Sequence, residues 1–124
     1  MSLETIRLSE QAKDQLTRVK RNTRIKNWNV LCRWALCMSL AEETKPNPSK
    51  IPADSSVEMT WKVFGGADAD VYLALIKQRC HEDGLGTGSS TVEEQFRVHL
   101  HRGIGYLFGD PELKSLSGLV KRGC

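Results

Sequence analysis

The 124-residue sequence has no apolar run approaching 20 residues, only 6% aromatic residues, and no basic-then-apolar leader in its opening MSLETIRLSEQ. The first absence speaks against a membrane-spanning helix and the last against a secretory signal, so a soluble, cytoplasmic chain without membrane contact is expected. Its four cysteines, Cys32, Cys37, Cys80 and Cys124, form no CxxC pair and meet no tight Cys/His quartet. On that spacing neither a zinc site nor any other metal or cofactor is expected. Cys32 and Cys37 fall in an apolar run with helical character, where thiols act as small hydrophobes, and are expected buried and reduced. HExxH, GxSxG and paired acidic motifs for two metals are also missing. The glycine-rich "GLGTGSS" of residues 84–90 lacks the GK[ST] ending of a nucleotide loop and reads as a flexible connection. His99 and His101, two apart, point to different faces of a helix and suit packing or surface roles. With no catalytic constellation, a binding protein rather than an enzyme is expected.

What is present is charge, unevenly placed. The chain carries +3 overall, but residues 1–33 hold +5 and the remainder −2. The N-terminal cations are Arg7, Lys13, Arg18, Lys20, Arg21, Arg24, Lys26 and Arg33. One or two cations at a helix end complement its dipole, whereas a run of this density makes a field that draws a polyanion. No aromatic interleaves the run, which favours phosphate contacts over stacking on bases.

Thr5–Ser9 alternates polar and apolar residues, as a short strand does with Ile6 and Leu8 inward and Arg7 outward. Ser9 suits the N-cap of a helix whose Ala12, Leu16 and Val19 recur at helical spacing. A second helix opens at Asn27 or Asn29. One of its faces carries Leu31, Cys32, Ala35, Leu36 and Leu40, and another carries Val30, Trp34 and Met38. A helix apolar nearly all round needs cover nearly all round, so Val30, Leu31, Trp34, Leu36 and Met38 are expected at a subunit interface. Pro46, Pro48 and Pro52 mark residues 44–56 as an extended surface connection. Val57, Met59, Trp61 and Val63 then alternate with polar residues, predicting a second strand that ends at Gly65. Asp68 is expected to cap a helix with Ala69, Tyr72, Leu73, Ile76 and Cys80 on its inner stripe. Ser90 with Glu93 fits a capping box opening a helix through Val92, Phe96, His99, Leu100, Ile104 and Leu107. Asp110–Pro111 would start a last helix bearing Leu113, Leu116 and Leu119.

The fold class expected is mainly α, with one or two short strands and one globular domain over residues 1–124. Its parts are a basic strand-helix-helix unit (1–43), the Pro-rich connection (44–56), and a short strand plus helices (57–124). The first part resembles the ribbon-helix-helix unit of small bacterial DNA-binding proteins. The blocks "IRLSEQAKDQLTRVKRNTRI", "NVLCRWALCMSL", "ALIKQRCHEDGL" and "EEQFRVHLHRG" resemble the DndE family of the bacterial DNA sulfur-modification system, over nearly the whole chain. That system replaces a non-bridging phosphate oxygen of the DNA backbone with sulfur. The resemblance implies a helical homotetramer that binds double-stranded DNA, nicked duplex above all, and works beside the other proteins of the system, which carry the chemistry. A ribbon-helix-helix transcriptional regulator, reading bases through Arg7, is the alternative. A scaffold whose cations meet an acidic partner protein is a third possibility.

Overall fold

The computed structural model describes residues 5–47 and 50–109, and within them the architecture is mainly α with one two-stranded sheet. Thr5–Arg7 forms β1, and Glu10–Thr23 forms helix α1. Ile6 and Leu8 turn inward as the alternation requires, at 2% and 0% exposure. Ser9 caps α1 by accepting a hydrogen bond from the Ala12 N–H, and Ala12, Leu16 and Val19 line its buried stripe. Helix α2 (Trp28–Ala41) starts at Asn27, whose side chain makes no capping bond. Strand β2 (Glu58–Thr60) runs antiparallel to β1 with Ile6 opposite Met59. The short helix α3 (Trp61–Gly65) and a single 3-10 turn (Gly66–Asp68) lead into α4 (Ala69–Glu82), and α5 (Ser89–Gly109) closes the core. Among the described residues, no helix is long and apolar enough to cross a membrane.

Packing decides where the apolar residues go. Helix α5 lies chiefly along α2, with α1 and α4 against its other sides. Leu31, Cys32, Ala35 and Leu36 of α2 are wholly buried among Val92, Phe96, Leu100, Ile104 and Leu107 of α5 and the inner residues of α1. Leu31 and Leu36 therefore have no surface to offer a second subunit, contrary to expectation, because the protomer's own α5 uses that face. Val30, Trp34 and Met38, on the other face of α2, are half-buried. Burial without a facing cation pushes the Cys32 thiol up to about 12, so it stays protonated. Cys80 is likewise a free buried thiol, while Cys37 departs from the expectation of a buried, reduced thiol, being half-buried and disulfide-bonded.

The second strand is shorter than the alternation over residues 57–63 predicts. Thr60 Oγ1 accepts from the Val63 N–H at 3.1 Å and starts a helix there, which leaves Val63 53% exposed. Trp61 gains an aromatic cluster in exchange, stacked on Phe64 at 5.1 Å and edge-on to Phe96 at 5.2 Å. Helix α5 begins one residue before the expected cap, its Val92 N–H donating to the Gly88 carbonyl, so Ser90 sits inside the first turn. The helix expected from Asp110 lies outside the described residues, as does Cys124.

Three arginines hold the Pro-rich connection in place. Arg79 donates to the carbonyls of Leu40, Glu42, Glu43 and Thr44 and pairs with Asp83. Arg102 donates to the Ser39 and Thr44 carbonyls, and Arg97 to those of Arg7, Ile51 and Pro52. The last carbonyls of α2 thus meet two cations, as a helix C-terminus favours.

Two histidines are built in neutral. His99 Nδ1 lies 2.8 Å from Ser39 Oγ, an oxygen that also accepts from Arg102 Nε at 2.8 Å. His99 Nδ1 and Ser39 Oγ thus share one hydrogen bond, and the other ring nitrogen, Nε2, is buried without a partner among the described residues. Burial first, then the Arg102 and Arg79 guanidinium groups, hold His99 down at about 4 against an opposing pull from Asp83. His101 accepts from the Ser9 N–H on Nε2 and donates from Nδ1 to the Arg97 carbonyl; burial lowers it to about 4 despite that carbonyl. Because both folded values lie below the unfolded 6.5, the unfolded chain binds protons first as pH falls. Stability is complete above pH 6.5 and declines toward pH 4, by about 2 kcal/mol per histidine between pH 7 and 5. Urea unfolding at those two pH values measures it, and the His99→Gln/His101→Gln double variant should show a much flatter dependence.

Candidate nucleic-acid interface

The cationic residues separate into groups once α1 is placed. Arg7 is tied down at the sheet, where Nη2 donates to Glu58 Oε2 at 2.7 Å and Nη1 to the Ser55 carbonyl at 2.9 Å. Its strand is also paired inside the chain, since β1 bonds β2 and the Arg7 carbonyl is taken by Arg97. In ribbon-helix-helix proteins this strand pairs with a second subunit. Lys13, in the first half of α1, bonds Ser56 Oγ and lies 3.8 Å from Glu10. Arg33 is half-buried, with its guanidinium beside Gly66, and is engaged within the chain.

The other five gather about the end of α1 and the turn into α2. Among the described residues, none of Arg18, Lys20, Arg21, Arg24 and Lys26 has a carboxylate within 4 Å. Residues two apart on a helix leave opposite flanks, and the structure shows it. Arg18 lies over the Phe108 ring at 5.8 Å, on the side of α5, whereas Lys20 Nζ sits 4.1 Å from the centre of Trp28. Arg21, Arg24 and Lys26 are exposed.

The turn itself carries two of these groups, Arg24 and Lys26. Arg24 takes the left-handed conformation, φ 63°, and its N–H closes α1 on the Lys20 carbonyl at 2.8 Å. Asparagine or glycine is the usual occupant of such a position; arginine there accepts some strain and points a cation outward. The chain then re-enters a helix at Trp28, where the absence of a side-chain cap leaves first-turn N–H groups facing the cationic turn. A helix N-terminus adds positive potential to that of the side chains. Lys20, Arg24 and Lys26 thus lie at the turn leading into this N-terminus, a basic corner of the chain, with Arg21 exposed and Arg18 on the flank towards α5.

Trp28 escaped the sequence reading because it follows the basic run rather than interleaving it. Only the left-handed turn folds it back onto Lys20. Arg79, Arg97 and Arg102 were also missed, and they are structural: each donates to carbonyls of the connection. Among the described residues, no three His, Cys, Asp or Glu side chains converge as metal ligands do.

Solved structures share this fold, among them two of DndE. A crystal structure of DndE from Escherichia coli B7A, described as involved in DNA phosphorothioation modification, aligns with a TM-score of 0.71 at 21% identity, over 86% of this chain and 98% of that one. A mutant DndE involved in DNA phosphorothioation aligns with a TM-score of 0.64, also at 21% identity, over 84% of this chain and 95% of that one. No curated protein matches the sequence. The sequence model of the DNA sulphur modification protein DndE matches residues 5–115. The match covers most of the chain, which belongs to the DndE family of DNA sulphur modification proteins.

Proposed function

We propose that this chain is a non-catalytic DNA-binding component of the bacterial DNA phosphorothioation system. It holds nicked or intact duplex while other proteins of the system perform the sulfur chemistry. The observation that carries this reading is the basic corner of Lys20, Arg24 and Lys26, with Arg21 and Arg18 beside it, all without carboxylate partners among the described residues. Cations already paired within a protein have little to gain from a phosphate; these have that interaction still to make. Lys13, Arg33 and Arg7 contribute less, being engaged within the chain. In a homotetramer, symmetry would repeat the corner and turn weak phosphate contacts into one surface of high effective concentration. The half-buried Val30, Trp34 and Met38 are the residues of α2 available to such an assembly.

Fluorescence anisotropy on matched intact, nicked and single-stranded DNA across a salt series tests this. Affinity for duplex should fall with salt at a slope of about −0.9 per phosphate engaged. Arg24→Ala or Lys26→Ala should each flatten it by roughly one contact and weaken unrelated sequences alike, because phosphate contacts carry no sequence information. Salt-insensitive binding, or none, would overturn the proposal.

A further inference from the structure

Resting on the DNA-binding reading above, we propose that Trp28 is a positioning residue whose indole holds the Lys20 ammonium in place to receive a DNA phosphate. Lys20 is a flexible side chain at the end of a helix, and such lysines normally sample many rotamers. Here Nζ sits 4.1 Å from the ring centre, within the range where the negative face of an indole attracts a cation. The ring is itself fixed, packed against the core as the first residue of α2. Lys20 is accordingly half-buried, while Arg21, Arg24 and Lys26 beside it are exposed.

The backbone supports the same pairing. The Arg24 N–H bonds the Lys20 carbonyl, so the residue that turns the chain toward Trp28 is anchored to the residue that Trp28 holds. An ammonium resting on a ring keeps N–H donors directed away from it, and having only donors it suits a phosphate oxygen. Fixing the side chain before DNA arrives lowers the ordering cost of binding without adding a contact. Stacking of the indole on a DNA base is disfavoured because Lys20 already lies over the ring.

The role separates from ordinary packing through its dependence on Lys20. Affinity and salt slope would be measured on nicked duplex with the full chain, its folding checked by circular dichroism. Lys20→Ala should weaken binding and flatten the slope by roughly one contact. Trp28→Leu should weaken binding by about threefold to tenfold and leave the slope unchanged, since the same phosphates are met by a less ordered lysine. Trp28→Phe should restore most of the loss, and adding Trp28→Leu to Lys20→Ala should cost nothing further. If Trp28→Leu does not fold, the Trp28→Phe/Lys20→Ala cycle carries the test, with a loss of about twofold that vanishes once Lys20 is gone.

A loss that persists without Lys20, a slope that falls with Trp28→Leu alone, or wild-type affinity in that variant would overturn the role of Trp28. In the last case a normal effect of Lys20→Ala leaves DNA binding standing. Were none of the cation variants to change affinity or slope, the DNA-binding reading itself would fall.

Discussion

Replacing Gly103 by alanine is expected to destabilise the protein by about 3 kcal/mol or more, although the same change in an ordinary helix is favourable. Alanine is the better helix former by about 1 kcal/mol, so propensity alone predicts a gain. At Gly103, however, a Cβ would overlap the carbonyl of Ala35 on α2. The obstacle is backbone, which cannot rotate aside as a long side chain does. The two helices would have to separate along the contact that buries Leu31, Leu36, Leu100 and Ile104. Loss of close packing there outweighs the propensity term. Gly105, two residues on, is the control. A Cβ there meets nothing within 4 Å, and Gly105→Ala should stabilise by about 0.5–1 kcal/mol. Urea unfolding of the pair checks both, and the denaturant dependence should stay constant if only the native state is affected. Equal stability of the two variants would mean that α2 and α5 do not approach as closely as described.

Arg79→Ala is expected to cost about 3–5 kcal/mol. The guanidinium has only 10% of its side chain exposed and serves four carbonyls together with Asp83, itself 8% exposed. Its removal leaves a buried carboxylate without its cation and the end of α2 without its donors. Lysine keeps the charge, but a single ammonium cannot reach carboxylate and carbonyls in the directions the planar fork does. Arg79→Lys should therefore recover less than half of the loss. Thermal unfolding measures the stability change, and limited proteolysis within residues 42–47 should accelerate in Arg79→Ala because that stretch loses its anchor. An unchanged cleavage rate would show that Arg97 and Arg102 suffice to hold it.

Local patterns were legible wherever one face of an element decides its fate. The alternation of Ile6 and Leu8, the Ser9 cap, the Ala12–Leu16–Val19 stripe and the spacing of Phe96, Leu100 and Ile104 all place these residues as the structure does. Misreading began where two local signals competed. Residues 57–63 alternate like a strand, yet Thr60 is also a capping residue, and the aromatic contacts open to Trp61 favour the helix. Ser90 and Glu93 satisfy a capping box in sequence, but Gly88 provides the first helical acceptor.

The sequence by itself determined the helical character of the chain, the placement of most core residues, the crowding of cations at the end of α1 and the family to which the chain belongs. These follow from short-range periodicity, composition and ordered blocks, none of which needs a distant partner. Tertiary structure alone decided which cations stay available. It paired Arg7 with Glu58, left Arg24 and Lys26 open, and seated Lys20 on Trp28. It also assigned Leu31 and Leu36 to the protomer's own core. The physical reason is that a side chain's availability depends on what long-range packing brings beside it, whereas its tendency to join a helix or strand is largely set by its neighbours along the chain.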